Sequence, residues 1–309
     1  MHNSEEAIQS YQVALKYSPA PVPIRNRIAE ILADEKQYDA ATEAYEKIRS
    51  EGLATIETYA GLATVYQAAG KFDDAMKTLR EACEKNPNSP YLFLRLGLVY
   101  GYRREYQPAK EALIQASTLS LADPRILKAL SLVYLRTGDR TNAIGVAKQL
   151  LRTVPNSVED RFYLGTLLEE SKDYVGATAE YEQTLKLDPK YVLALNNLAI
   201  TKTKLGKLDE ALQLADQAVA LAPDNPAFFD TQGWILYQRS EFAKASQALE
   251  KAVAGDVANP TYRYHLAASY EKLGKRKKAL DECNKAIESS NTFPERPEAQ
   301  ILVELLKRS

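Results

Sequence analysis

The alanines of this chain recur at one interval. Ala7, Ala41, Ala75, Ala109, Ala143, Ala177, Ala211, Ala245 and Ala279 follow one another at 34 residues without a slip. A second series of small residues keeps the same period: Ala29, Ala63, Gly97, Ser131, Gly165, Ala199, Gly233 and Ala267, each 12 residues before an alanine of the first. Small side chains are needed where two helices cross closely, because larger ones hold the backbones apart. A fixed period of this length belongs to stacked repeats, in which no unit can bury its apolar side alone. It therefore overrides the two-domain expectation that 309 residues would otherwise carry.

With Val22 as the first position, the units run 22–55, 56–89, 90–123, 124–157, 158–191, 192–225, 226–259 and 260–293. Position 7 is mostly leucine (Leu62, Leu96, Leu130, Leu164, Leu198, Leu266), and position 11 is often tyrosine (Tyr66, Tyr100, Tyr134, Tyr270). Pro87, Pro155, Pro189 and Pro223 stand at position 32. This pattern resembles the tetratricopeptide repeat family over residues 4–293. The resemblance implies an all-α, right-handed superhelical solenoid, a single array over 1–309 in which each unit is an antiparallel helix pair, A then B.

Helix starts are written in the sequence. Ser89-Pro90, Asp123-Pro124, Asn225-Pro226 and Asn259-Pro260 each place a capping side chain before a proline, which has no N–H to leave unpaired. Thr55 and Ser157 supply caps without the proline. At position 15, in the A-to-B turn, glycine alternates with other residues: Lys36, Gly70, Arg104, Gly138, Lys172, Gly206, Ser240, Gly274. Glycine suits a left-handed turn residue, so the non-glycine turns are expected to be built differently, within a true period of 68 residues. Chance variation at a degenerate position is the alternative.

The ends differ. Residues 4–17 read as a lone B helix, the expectation being a chain cut inside a repeat, with self-association through that uncovered helix. A native start with one packing helix is the alternative. After Pro294-Glu295-Arg296-Pro297, Ala299, Ile301, Leu302, Leu305 and Leu306 form an apolar stripe, which predicts a capping helix over 297–307.

Composition excludes little but bounds the partner. Lys plus Arg number 40 against 41 Asp plus Glu, without the basic excess that a nucleic-acid groove needs. No apolar run approaches the roughly 20 residues that cross a bilayer, so direct membrane insertion is not expected. Cys83 and Cys283 sit in repeats too far apart to be bridged and read as buried small hydrophobes. His2 and His265 are the only histidines; nothing clusters for a metal, no phosphate loop occurs, and no cofactor or catalytic group is expected. Lys275 to Lys278 is the single basic run and reads as a solvated turn.

What remains is a binding face. The resemblance implies that positions 2, 5, 9, 12 and 13 of helix A line a concave groove. On this chain they give Tyr91, Leu94, Leu98, Tyr102, Lys128, Leu132, Phe162, Asn196, Ile200, Trp234, Tyr237 and Tyr264, an aromatic and aliphatic surface suited to a peptide or helix of a protein partner. The carboxylate clamp of chaperone-binding members is absent: Lys128 is followed by Leu132, and Tyr163, Leu193 and Asn197 stand where its other residues belong. Asp230-Thr231 with Gly233-Trp234, before Tyr264-His265-Leu266, resembles the end of bacterial repeat proteins of envelope and exopolysaccharide systems. The expected function is a non-enzymatic scaffold, in the cytoplasm or envelope of a bacterium. The alternative is the regulatory or substrate-positioning portion of a larger enzyme or export machine.

Overall fold

A computed structural model describes residues 2–308, which form 18 helices and, among the described residues, no strand. They fall into two compact units, Met1–Val154 and Pro155–Ser309. The N-terminal unit holds α1 (His2–Leu15) and four A/B pairs: α2 (Pro21–Asp34) with α3 (Tyr38–Ser50), α4 (Ile56–Ala68) with α5 (Phe72–Lys85), α6 (Pro90–Tyr102) with α7 (Tyr106–Leu119), and α8 (Pro124–Arg136) with α9 (Arg140–Thr153). The C-terminal unit holds four more, then a last helix. These are α10 (Val158–Glu170) with α11 (Tyr174–Leu187), α12 (Val192–Lys204) with α13 (Leu208–Leu221), α14 (Pro226–Gln238) with α15 (Phe242–Gly255), α16 (Pro260–Lys272) with α17 (Arg276–Ser289), and α18 (Arg296–Arg308).

The two small-residue series explain the pairing. From Ala41 to Ala279, every alanine of the first series is fully buried, as are Ala29, Ser131 and their equivalents. Where the second series has glycine, the space is taken: a Cβ on Gly97 would stand 2.6 Å from Leu113, and one on Gly233 2.5 Å from Leu249. Close A–B crossing is thus fixed by side chains that are missing. Capping follows the sequence: Ser89, Asp123, Ser157, Asn225 and Asn259 each accept a hydrogen bond from a first-turn N–H, and Thr55 and Thr58 form a reciprocal capping box.

The expectation of two kinds of turn is corrected. All eight position-15 residues are left-handed, with φ of +60 to +64° at Lys36, Arg104, Lys172 and Ser240 and +67 to +80° at the four glycines. In each turn the N–H of position 16 donates to the carbonyl of position 11, from Gln37 to Leu32 through Lys275 to Tyr270, at 2.8–2.9 Å. That bond closes the A helix in a Schellman motif and requires the left-handed residue before it. The buried helix pair dictates the turn, and the residue at position 15 adopts it with or without a Cβ.

Within each unit, successive A helices touch one another, and successive B helices make no comparable contact. The A helices therefore lie on the inner side of each stack, and their outward positions form its concave face. At the start of the chain α1 packs on α2, yet Ala7 and Ile8 are only half-buried and Val13 is exposed. At the other end α18 buries Ala299, Val303 and Leu306, covering Cys283 and Ala267, while Ile301 and Leu305 face outward.

Candidate partner-binding faces

In the N-terminal unit the face is carried by α2, α4, α6 and α8. Tyr91, Leu98 and Tyr102 of α6 and Leu132 of α8 are exposed, by 37, 48, 71 and 42 %. One side of Tyr102 stacks on Phe72 at 4.9 Å. Lys128 is exposed beside them. Leu94 belongs elsewhere: it is 4 % exposed and packs with Leu113, Ala116 and Ile126. Position 5 borders the core, and an apolar residue there is drawn under the next A helix.

Two cavities open on this face. One, of about 450 Å³, has Glu30, Asp34 and Glu57 on its walls with Tyr91 and Arg95 opposite. Tyr45 reaches under it into the space left by Gly61, and burial first, then Glu30 and Asp34, raises its phenol above the ordinary range. The other, of about 410 Å³, lies between α6 and α8 and is floored by Leu113, Ala129 and Val133, with Leu98, Tyr102 and Leu132 at its sides. Gly101, Arg104 and Arg136 line its rim. Gly101 was not singled out by position. Its signal was a glycine inside helix A outside the small-residue series.

In the C-terminal unit the aromatic residues have found each other. Trp234 stacks on Tyr237 at 4.7 Å and 3°, and on His265 at 3.9 Å and 18°, with Tyr264 tilted at 6.4 Å. His265 is buried and its Nδ1 lies 2.8 Å from Oδ1 of Asp230, which fixes the ring against the indole. Burial pushes the Tyr264 phenol up to about 12. Asp230, Trp234 and His265 bound a smaller cavity of about 210 Å³ with Ile200, Thr203 and Gln238.

Toward α10 the same face is polar inside. Phe162 lies between Tyr181 and Tyr191 at 5.6 and 5.2 Å. The Tyr181 hydroxyl donates to Glu169 at 2.7 Å and accepts from Asn197. Desolvation holds the Glu169 carboxyl above its usual range, against that hydrogen bond. Asn196 is buried, donating to Asn197, and Ile200 is half-buried. His265 is a packing residue, and the His2 side chain lies outside the described residues. Both cysteines are free and buried, their thiols pushed up by desolvation, to about 11 for Cys83 and about 12 for Cys283. No described helix is long and apolar enough to cross a membrane.

Comparison with known proteins gives the family. Residues 1–190 match the family model of the Cilia and flagella-associated protein 70 C-terminal domain, and 168–235 and 231–292 match two tetratricopeptide repeat models. Tetratricopeptide repeat protein 8 of Caenorhabditis elegans is 24% identical over 67% of this chain and 35% of its own length. Hsp70-Hsp90 organizing protein 1 of Glycine max is 24% identical over 86% of this chain and 45% of its own. The chain thus spans less than half the length of these two relatives; since a Bacillus subtilis protein matches as well, the relatives span eukaryotes and bacteria and assign no source. Among solved structures, a tetratricopeptide repeat protein from Parabacteroides merdae superposes with a TM-score of 0.62 at 18% identity, covering 82% of this chain and 98% of its own. YrrB, described as a TPR protein with an unusual peptide-binding site, gives 0.54 at 20% identity over 60% of this chain and 96% of its own. The period, the paired helices and a family match over more than half of its length agree: the chain belongs to the tetratricopeptide repeat family.

Proposed function

We propose that this protein is a non-enzymatic scaffold that holds a peptide or helix of a protein partner on the A-helix faces. The observation that carries this is placement. Tyr91, Leu98, Tyr102, Leu132 and Leu193 are large, apolar and exposed, and they stand at positions 2, 9 and 13 of helix A, the side turned away from helix B. Such groups on the inner surface of a stack are what partner-binding faces present. The peptide-binding site in the description of YrrB and the tetratricopeptide relatives support the same reading.

A random dodecapeptide display library, selected on the full chain and followed by hydrogen exchange with the enriched peptides, tests it. Bound peptide should protect A-helix amides of α4 to α8 or α10 to α16. Protection confined to the B helices would refute it.

A further inference from the structure

The cavity between α6 and α8 carries more information than the rest of the face. Its floor is apolar, its sides are Leu98, Tyr102 and Leu132, and its charged lining residues are Arg104 and Arg136. No carboxylate lines it, and among the described residues neither arginine makes an ion pair or side-chain hydrogen bond. Arg104 is held at φ +61° in the closed turn, so the start of its side chain is fixed beside the opening. The other cavity of this unit has the opposite character, with Glu30, Asp34 and Glu57 on its walls. Charge on this face is sorted along the stack.

Gly101 is the second observation. Glycine is a poor helix former, and a helix interior tolerates it where a side chain would collide. Gly97 meets that condition, but a Cβ on Gly101 would meet nothing within 4 Å. Packing does not call for this glycine. What its missing side chain does is leave the rim of the α6–α8 cavity open.

We propose that this cavity receives a leucine- or phenylalanine-sized side chain of the partner segment, flanked in that segment by carboxylates that pair with Arg104 and Arg136. The inference rests on the scaffold reading and adds to it the chemistry of the occupant. Guanidinium groups pair with carboxylates in two-point geometry, and an apolar anchor in a pocket with complementary charge at its rim gives both affinity and choice of partner.

The dodecapeptide library provides the test, with the 309-residue chain and five variants. Enriched peptides should carry Asp or Glu on both sides of Leu or Phe. Their affinity should fall about tenfold or more with Arg104→Glu/Arg136→Glu, and by a similar factor with Gly101→Trp, which fills the opening. Gly101→Ala should keep full affinity. Circular dichroism establishes that each variant is folded; if Gly101→Trp is not, the arginine pair decides. Enrichment of basic or uncharged peptides, of none, or affinity unchanged in the arginine variant overturns the proposal. Peptides that ignore these variants but weaken with Tyr264→Ala or Leu193→Ala would leave the scaffold reading standing without this pocket. Protection confined to B helices would remove both.

Discussion

The α6–α8 face and the α14–α16 face use the same repeat positions and end differently. Position 9 is Leu98 or Leu132 in the first, exposed by nearly half, and Trp234 in the second, stacked between Tyr237 and His265. A place on the helix settles which way a side chain leaves the backbone. Whether it stays available depends on its neighbours. Leu98 has Gly101 three residues on, whereas Trp234 has Tyr237 there and His265 on the next A helix. One face keeps its apolar groups apart and open. The other satisfies them internally and presents a smaller, finished surface.

The first way to break this contrast is to show that the faces differ in framework as well as in surface. Gly97→Val and Gly233→Val should each destabilise by about 2–3 kcal/mol through overpacking, since both meet a buried leucine at nearly the same distance. Urea unfolding of the two variants measures it, and clearly unequal losses would mean that the crossings are not equivalent. Next in size is the surface itself. Trp234→Ala should lower stability by about 2 kcal/mol, because it empties a stack, whereas Tyr102→Ala, 71 % exposed, should lower it by less than about 1 kcal/mol. Equal costs would erase the distinction between an open face and a packed one.

Smaller effects sharpen it. Lys36→Gly and Ser240→Gly relieve a Cβ in the left-handed region and should each stabilise by about 0.5 kcal/mol, the freer unfolded chain offsetting part of the gain. Gly138→Ala should lose about 1 kcal/mol. Thermal melts resolve both signs. The smallest effect is kinetic. With their thiols raised to about 11 and about 12, Cys83 and Cys283 carry almost no thiolate at neutral pH. Both should resist iodoacetamide in the folded protein, alkylation should rise as pH climbs toward those values, and Cys83, 6 % exposed, should label before the fully buried Cys283.

The fold is largely legible in the sequence. Buried alanines at fixed spacing and capping residues before prolines became the elements they announced, and the last helix formed as expected but buries Ala299, Val303 and Leu306 and turns Ile301 and Leu305 of the stripe outward. The turns were not legible in detail, because alternating residue types at position 15 hid one shared backbone imposed by the helices on either side. The site was legible only as a direction. Leu94 and Leu132 look alike in sequence, but one lies under the next helix and the other beside an open cavity. Leu94 meets Leu113, Ala116 and Ile126, 19 to 32 residues further on, and such contacts are not contained in a local pattern. The stacking of Trp234 on His265, and the bond from His265 to Asp230, 35 residues earlier, are of the same kind.

The indole stacked in α14 has an optical consequence. Trp234 is the single tryptophan among 19 tyrosines and 7 phenylalanines, and it lies wholly within the C-terminal unit. Excited at the red edge of its absorption, the protein should emit from that one ring, with the imidazole 3.9 Å away acting as a built-in quencher. Any event that parts the two rings, from unfolding of α16 to a ligand that slides between them, brightens the emission. Events confined to α2 through α8 leave the emission unchanged, so brightening reports, without labels, an event at the α14–α16 end.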